Sequence, residues 1–271
     1  MPELPEVETI RRGIEPLILR QEIVRVVIRT AKLRWPIPTD LERRLAGQET
    51  VSVERRGKYL LLRFSVGTLL IHFGMSGYLR VIEEPSDAGP HDHFDIRFSS
   101  GTCLRFNDAR RFGALLWIEG EPSLHPLLAD LGPEPFSEDV NGDYLFQRSR
   151  NRRIAVKPFI MDHRIVAGIG NMYASEALFR AGIHPALPAG QVSRDLYDRL
   201  AYSIRQVLTE ALSAGDKTLG GFGKTTGRPG YFSLQFKVYG RAGEPCEVCG
   251  NPIVNIRLGQ RSSFFCPVCQ K

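Results

Sequence analysis

Cysteine is scarce in this chain, and tryptophan and methionine are scarcer: 271 residues contain five Cys, two Trp and four Met. Five cysteines cannot staple a chain of this length with disulfides, and four of them fall after residue 245, which marks a local site and not a framework. Long apolar runs are missing as well. The longest, such as Ala114-Leu115-Leu116-Trp117-Ile118, are far below the roughly 18 to 20 residues that cross a bilayer, so no membrane segment is expected. The opening Met1-Pro2-Glu3-Leu4-Pro5-Glu6-Val7-Glu8 is acidic where a secretory signal is basic and then apolar, and a cytoplasmic protein is expected. What the chain does contain is 26 Gly and 18 Pro, which exclude a mostly helical bundle, and 42% hydrophobic residues, enough for a packed core. Its 36 Lys and Arg against 30 Asp and Glu leave a net charge of +6, a modest pointer to polyanions.

Val7, Ile10, Ile14, Leu17 and Ile18 recur at helical spacing and predict an amphipathic helix over about 6–19. From there to about residue 120 the pattern is β, at 23–28, 51–53, 59–64, 68–73, 94–98, 103–106 and 112–118. Alternation as in Phe94-Asp95-Ile96-Arg97-Phe98, with glycine turns between the runs, predicts a sandwich of short strands. One helix interrupts it, with Thr39-x-x-Glu42 as a capping box and Gly47 as its stop. Residues 131–139, LGPEPFSED, read as an interdomain linker. Helical candidates follow at about 142–149, 155–161, 171–181 and 193–213, and then 215–230 carries six glycines in sixteen positions, the composition of a mobile loop.

Cys246-x-x-Cys249, sixteen intervening residues and Cys266-x-x-Cys269 have the spacing of a four-cysteine zinc ribbon. Two redox CxxC pairs are the alternative, but these need a βαβ setting that the pattern lacks. Four sulfur ligands close the coordination sphere, so the expected zinc is structural. Between the knuckles, 253–257 and 262–266 can pair as a hairpin that presents Arg261 at its tip. Gly223-Lys224-Thr225 is not a P-loop, because Thr218 stands where the first glycine is required. Gly168-Ile169-Gly170 is not a dinucleotide fingerprint, because Tyr173 replaces the third glycine. What remains there is a turn, Asn171 and a helix whose free amides can hold a phosphate, with Asn171 as a plain N-cap the alternative. His91-Asp92-His93 puts both imidazoles on one strand face and favours a polar edge or phosphate contact over a metal. Phe264-Phe265, Phe232 and Phe236 read as local core. Loss of Met1 ahead of the small Pro2 would leave a secondary amine with an α-amino pKa of about 7.7 to 8, with a substantial neutral fraction at physiological pH and able to form an iminium ion on an electrophilic carbon.

Several segments then combine: MPELPEVET at 1–9, RRGKYL at 55–60, HFGMSG at 72–77, DARRFG at 108–113, GIGNMYASE at 168–176, PGYF at 229–232, VYGR at 238–241 and the ribbon. Together they closely resemble the bacterial formamidopyrimidine-DNA glycosylase family from the first residue to the last, with Ala109 where many relatives have proline. The resemblance implies an α+β multidomain protein: an N-terminal β-sandwich with an N-terminal helix (1–131), a helix-two-turn-helix domain with the Gly-rich loop 215–230 closing over a flipped base (132–237), and a C-terminal four-cysteine ribbon (238–271), with DNA in the cleft between the domains. It implies base excision repair of 8-oxoguanine and formamidopyrimidines in double-stranded DNA, then β,δ-elimination at the abasic site. By the same likeness Pro2 is the nucleophile, Glu3 the general acid, Glu6 a support, Lys58 the aid to β-elimination and Arg261 to δ-elimination. Met75, Arg110 and Phe112 match the residues that fill the gap left by the flipped nucleotide. Asn171 and Arg261 match phosphate contacts, with His91, Arg152, Lys157 and Tyr239 as further backbone contacts. Cys246, Cys249, Cys266 and Cys269 hold the one structural zinc; no organic cofactor and a monomer are expected.

Two alternatives stay open on sequence. An endonuclease VIII-type enzyme for oxidised pyrimidines shares the architecture and nucleophile, but Leu4, where that branch has glycine, and the Met75, Arg110 and Phe112 set favour the purine enzyme. A non-catalytic zinc-ribbon protein that only binds nucleic acid leaves the Pro2-Glu3 start and Lys58 unexplained.

Overall fold

A computed structural model of the chain describes residues 2–82, 87–219 and 235–271. Two compact units result: Met1–Ala129 with Leu212–Phe232, and Asp130–Ala211 with Ser233–Lys271.

The first unit is the β-sandwich that the alternation predicts. One four-stranded antiparallel sheet has the order β1 (Ile23–Ile28), β6 (Asp92–Phe98), β7 (Cys103–Asn107), β5 (Tyr78–Ile82); the other runs β2 (Ser52–Arg56), β3 (Tyr59–Phe64), β4 (Gly67–His72), β8 (Ala114–Ile118). Alternate residues face inward, so Phe94, Ile96, Leu104 and Phe106 of the first sheet share a core with Leu60, Leu62, Leu69 and Ile71 of the second. Helix α1 (Leu4–Ile18) adds its apolar stripe, Val7, Ile10, Ile14 and Ile18, to the same core, and the short α2 (Leu41–Leu45) adds Leu41 and Leu45.

Three local expectations need correction. Thr39 and Glu42 form no capping box: Asp40 is the N-cap of α2, and Glu42 Oε1 instead accepts from the backbone N–H of Ile28 at 3.0 Å, tying the helix to β1. Gly47 does stop the helix, at φ +74°. Strand β5 is an edge strand that the sequence pattern does not separate from its neighbouring turn. His91 lies in the turn before β6, whose pairing is irregular between Asp92 and Phe94, so His91 is exposed while His93 is buried; the two do not share a face.

The outer face of the β6–β7 pair carries a buried ionic network. Asp95 and Arg105 are register partners and bond bidentately, Nε to Oδ1 and Nη2 to Oδ2, both at 2.8 Å. Arg29 reaches the same carboxylate at 2.6 Å, while Arg80 and Asn107 hold Asp92. Burial opposes ionisation of Asp95, but the hydrogen bonds and charges of Arg105 and Arg29 outweigh it and hold its carboxyl below the usual range.

The second unit contains helices α4 (Gly142–Ser149), α5 (Val156–Met161), α6 (Asn171–Ala181) and α7 (Arg194–Asp216, its last residues counted with the first unit), which follow the predicted segments closely, and a short helix, α3 (Pro126–Ala129), closes the first unit's sequence before them. It ends in the hairpin β9 (Val254–Leu258) and β10 (Arg261–Phe265). Of the Gly-rich 215–230 reading, residues 220–230, with Phe232, lie outside the described residues, while Gly215 and Asp216 belong to α7. Among the described residues no helix is long and apolar enough to cross a membrane.

Replacing Arg105 by Ala leaves Asp95 a buried charge short of its bidentate partner, and is expected to lower unfolding free energy by about 3 to 5 kcal/mol. The check is a lower urea midpoint at unchanged slope.

Candidate functional site

Pro2 and Glu3 are buried directly ahead of α1. Glu3 is the N-cap and forms a reciprocal capping box with Glu6: the Glu3 backbone N–H donates to Glu6 Oε2 at 2.8 Å, and the Glu3 side chain accepts from the Glu6 amide in return. Pro5 is tolerated in this first turn because its amide would have no helical partner there. Glu6 thus fixes the backbone that joins Pro2 to Glu3. The α1 N-terminus also places positive partial charge beside both carboxylates.

Lys58 sits in the two-residue turn between β2 and β3, closed by the Arg56–Tyr59 pair, with Gly57 at φ +57°. The left-handed backbone there favours glycine. A residue that sequence reasoning missed ties this turn to α1. Glu8 accepts from Arg11 and Arg12 on its own helix and, at 3.0 Å, from Arg55 Nε on β2; Arg55 Nη1 in turn donates to the Gly57 carbonyl at 3.0 Å. Burial works against the Glu8 charge, but the bonds and charges of Arg11, Arg12 and Arg55 outweigh it and keep the carboxyl below its ordinary range. The helical spacing to Arg11 and Arg12 is visible in sequence; the long-range partner Arg55 is not.

Met75 and Phe112 are 39% and 45% exposed and lie in loops, not in strand cores. The Arg110 guanidinium stacks over the Phe112 ring at 4.8 Å, joining two of the three matched residues. The loops touch: a Cβ on Gly74, which has φ +60°, would meet the Phe112 carbonyl carbon at 2.4 Å and Gly113 N at 2.5 Å. His72, half-buried at the end of β4, accepts from the Gly74 amide on Nδ1 at 3.2 Å. Burial and the nearby charges of Arg34 and Lys58 push its pKa down to about 4, so the ring stays a neutral acceptor.

In the second unit the structure brings Asn171 and Tyr239 together, Nδ2 to the phenol oxygen at 3.5 Å. Asn171 is not the N-cap: Gly170 holds that position, α6 starts at Asn171, and the Asn171 Oδ1 is buried without a hydrogen-bond partner. Glu176, to which the sequence reading gave no role, fixes the segment bearing Tyr239 by accepting from three successive amides, Lys237 at 2.9 Å, Val238 at 3.0 Å and Tyr239 at 2.9 Å. Arg152 is exposed. Lys157 is 1% exposed, and its ammonium donates to Ser262 O and Ser263 Oγ, both at 2.9 Å. It therefore braces the hairpin that carries Arg261. That hairpin turns on Gly259 and Gln260, both at positive φ, with Arg261 exposed as the first residue of β10, a one-residue shift from the predicted strands.

The four Sγ atoms of Cys246, Cys249, Cys266 and Cys269 all lie within 4.8 Å of one another, the cross-knuckle pairs at 3.9 and 3.4 Å. A tetrahedral zinc with Zn–S bonds of about 2.3 Å separates its sulfurs by about 3.8 Å, so the cluster fits one structural Zn²⁺. The apolar core around it is small, with Val238, Ile253 and Phe179 as the buried residues beside Cys246 and Cys266. Gln270 fastens the second knuckle, accepting from Cys266 N at 2.9 Å and donating to Ile183 O at 2.8 Å, just beyond α6.

Comparison with known proteins covers the chain in three parts. Residues 1–115 match the formamidopyrimidine-DNA glycosylase N-terminal domain, 131–222 the formamidopyrimidine-DNA glycosylase H2TH domain, and 243–271 the zinc finger found in FPG and IleRS. The sequence is 59% identical to the formamidopyrimidine-DNA glycosylase of Syntrophotalea carbinolica and 55% identical to that of Stutzerimonas stutzeri, in each case over 100% of both chains. The fold is similar to wild-type Lactococcus lactis Fpg in complex with an N7-benzyl-Fapy-dG containing DNA, with TM-score 0.89, 32% identity and 100% of both chains covered. It is equally similar to Lactococcus lactis Fpg bound to an abasic site containing DNA, with TM-score 0.89, 32% identity and 99% of each chain covered.

Two outcomes are expected. Glu8→Gln lowers stability by about 1 to 3 kcal/mol at pH 7. Because the folded Glu8 pKa is depressed, its contribution is present above the ordinary carboxylate pKa and is lost as pH falls through the folded value, so urea midpoints of variant and wild type converge in acid. Stripping the metal with a chelator removes one equivalent of zinc, melts the β9–β10 hairpin and weakens duplex binding, measured by fluorescence anisotropy, by at least about tenfold.

Proposed function

The chain belongs to the formamidopyrimidine-DNA glycosylase family as a base excision repair glycosylase for oxidised purines, and from that premise we propose that it works as a bifunctional glycosylase and abasic-site lyase with the Pro2 nitrogen as nucleophile. The observation that carries this reading is the capping box at the start of α1, which holds the Pro2-Glu3 dipeptide in one conformation at the mouth of a buried helix. A terminal nucleophile needs that restraint, since chain ends otherwise fray.

With Met1 removed, the neutral Pro2 amine attacks C1′ of the flipped nucleotide and the C1′–N bond to the damaged base breaks. Glu3 protonates the sugar ring oxygen, the ring opens, and an iminium links Pro2 to C1′. Loss of a proton from C2′ then expels the 3′-phosphate, with Lys58 the cation that assists; a second elimination, assisted by Arg261, expels the 5′-phosphate. Hydrolysis of the remaining imine frees the enzyme.

Binding falls to the rest of the matched set. Met75 and Phe112 supply apolar wedges and Arg110 a hydrogen-bonding cation for the gap in the duplex, and their exposure on loops supports that part. Asn171, Tyr239, His91, Arg152 and Arg261 take the phosphates, Lys157 acting through the hairpin it braces. The protein acts as a monomer on duplex DNA in the cytoplasm.

Borohydride reduction freezes an imine as a permanent cross-link and therefore tests the nucleophile. With 8-oxoguanine opposite cytosine, the wild type is expected to give an adduct that peptide mapping places on Pro2, while a variant that retains an N-terminal extension gives none. Glu3→Gln should bind the duplex and excise at least about 100-fold more slowly. A wild type that excises the base but cross-links to neither the lesion duplex nor a preformed abasic site would overturn the Schiff-base reading.

A further inference from the structure

Exposed apolar side chains on loops can open a base stack only if the loops do not yield, since unstacking and unpairing require a few kcal/mol and a loose loop would move instead. The restraint converges on one buried side chain that the reaction itself does not use. Asp108 is fully buried. Its Oδ1 accepts from the Ser76 hydroxyl at 2.5 Å and from the Arg110 amide at 3.3 Å; its Oδ2 accepts from the Gly113 amide at 2.7 Å. The Arg110 amide is shared with Ser76 Oγ at 3.2 Å, which joins the Met75 turn directly to the Arg110 loop.

The backbone of Asp108 adds a third segment. Its N–H donates to the His91 carbonyl at 3.0 Å, and its own carbonyl lies 2.8 Å from His93 Nε2 and accepts from the Arg111 amide at 3.2 Å. The start of β6, the Met75 turn and the Arg110–Phe112 loop are thus held at a single residue. Glycines permit the approach: Gly113 has no room for a Cβ, which would meet the His72 carbonyl oxygen at 2.8 Å, and Arg111 takes φ +56°, a conformation that the surrounding bonds must hold.

We propose that Asp108 is a positioning residue for gap filling, a carboxylate clamp that makes Met75, Arg110 and Phe112 one rigid wedge; this rests on the part given to those three residues above. The chemistry requires a carboxylate. All the donors that face it are N–H or O–H groups, one set on each oxygen, so an amide in its place must turn its NH₂ either towards Ser76 and Arg110 or towards Gly113. At least one bond is lost, and the two loops are uncoupled.

The test compares Asp108→Asn, Phe112→Ala and the double variant on three readouts. These are excision of 8-oxoguanine from duplex DNA, fluorescence of 2-aminopurine placed beside the lesion, and borohydride trapping on a single-stranded abasic oligonucleotide, which has no stack to open. Asp108→Asn is expected to slow duplex excision by about tenfold or more and to lower the 2-aminopurine signal, with single-strand trapping unchanged. The losses in the double variant should be less than additive, because part of the clamp's effect acts through Phe112. Ser76→Ala, which removes one donor and keeps the carboxylate, gives a smaller drop of the same pattern and carries the test if Asp108→Asn folds poorly. Wild-type duplex excision by Asp108→Asn while Phe112→Ala is impaired, additive losses in the double variant, or loss of single-strand trapping would each overturn the clamp. Wild-type behaviour of Phe112→Ala would instead overturn the wedge reading on which it rests.

Discussion

The burial of α1 is the constraint on which the first unit depends. A chain terminus is the least ordered part of most folds, yet this one carries the residues matched to the chemistry. Leu4, Val7, Ile10, Ile14 and Ile18 are fully buried, and at roughly 1.5 to 3 kcal/mol for each such side chain their combined burial far exceeds what fraying of one turn could recover. The sandwich core is in this sense the anchor of its own N-terminus, and the capping box only trims the last residues into place.

Buried and half-buried carboxylates do a second job in this molecule. Asp108, Glu176 and Glu8 are each placed where a loop, a segment or a turn must be held against a distant element, and each accepts from several donors at once. An apolar contact could bury the same area but would leave the loop amides of Gly113 or Val238 without acceptors, which is more costly than the carboxylate's own desolvation once its oxygens are filled. In the β6–β7 network the same logic uses arginine as the donor.

Much of this was legible in the sequence, and what was not shares one cause. The periodicity that marks α1, the alternation of β6 and the CxxC spacing are properties of neighbouring residues, so the helices, most strands and the cysteine cluster could be read directly. The bonds from Glu176 to 237–239, from Asp108 to Ser76 and from Arg55 to Glu8 join positions far apart in the chain, and no local pattern announces them. Local cues also misled where tertiary partners competed: Glu42 left its expected capping box for the Ile28 amide, and the alternative reading of Asn171 as a plain N-cap fell to Gly170.

Lys58 and Arg261 are presented in the same manner, on hairpins whose connecting loops are only two residues long. Such a hairpin has no slack. Because side chains alternate faces along a strand, a one-residue slip of β10 against β9 would carry Arg261 to the opposite side of its ribbon, and an added residue between β2 and β3 would change the turn that holds Lys58. These two turns are therefore closed to insertion and deletion, and their glycines, at positive φ, resist substitution as well.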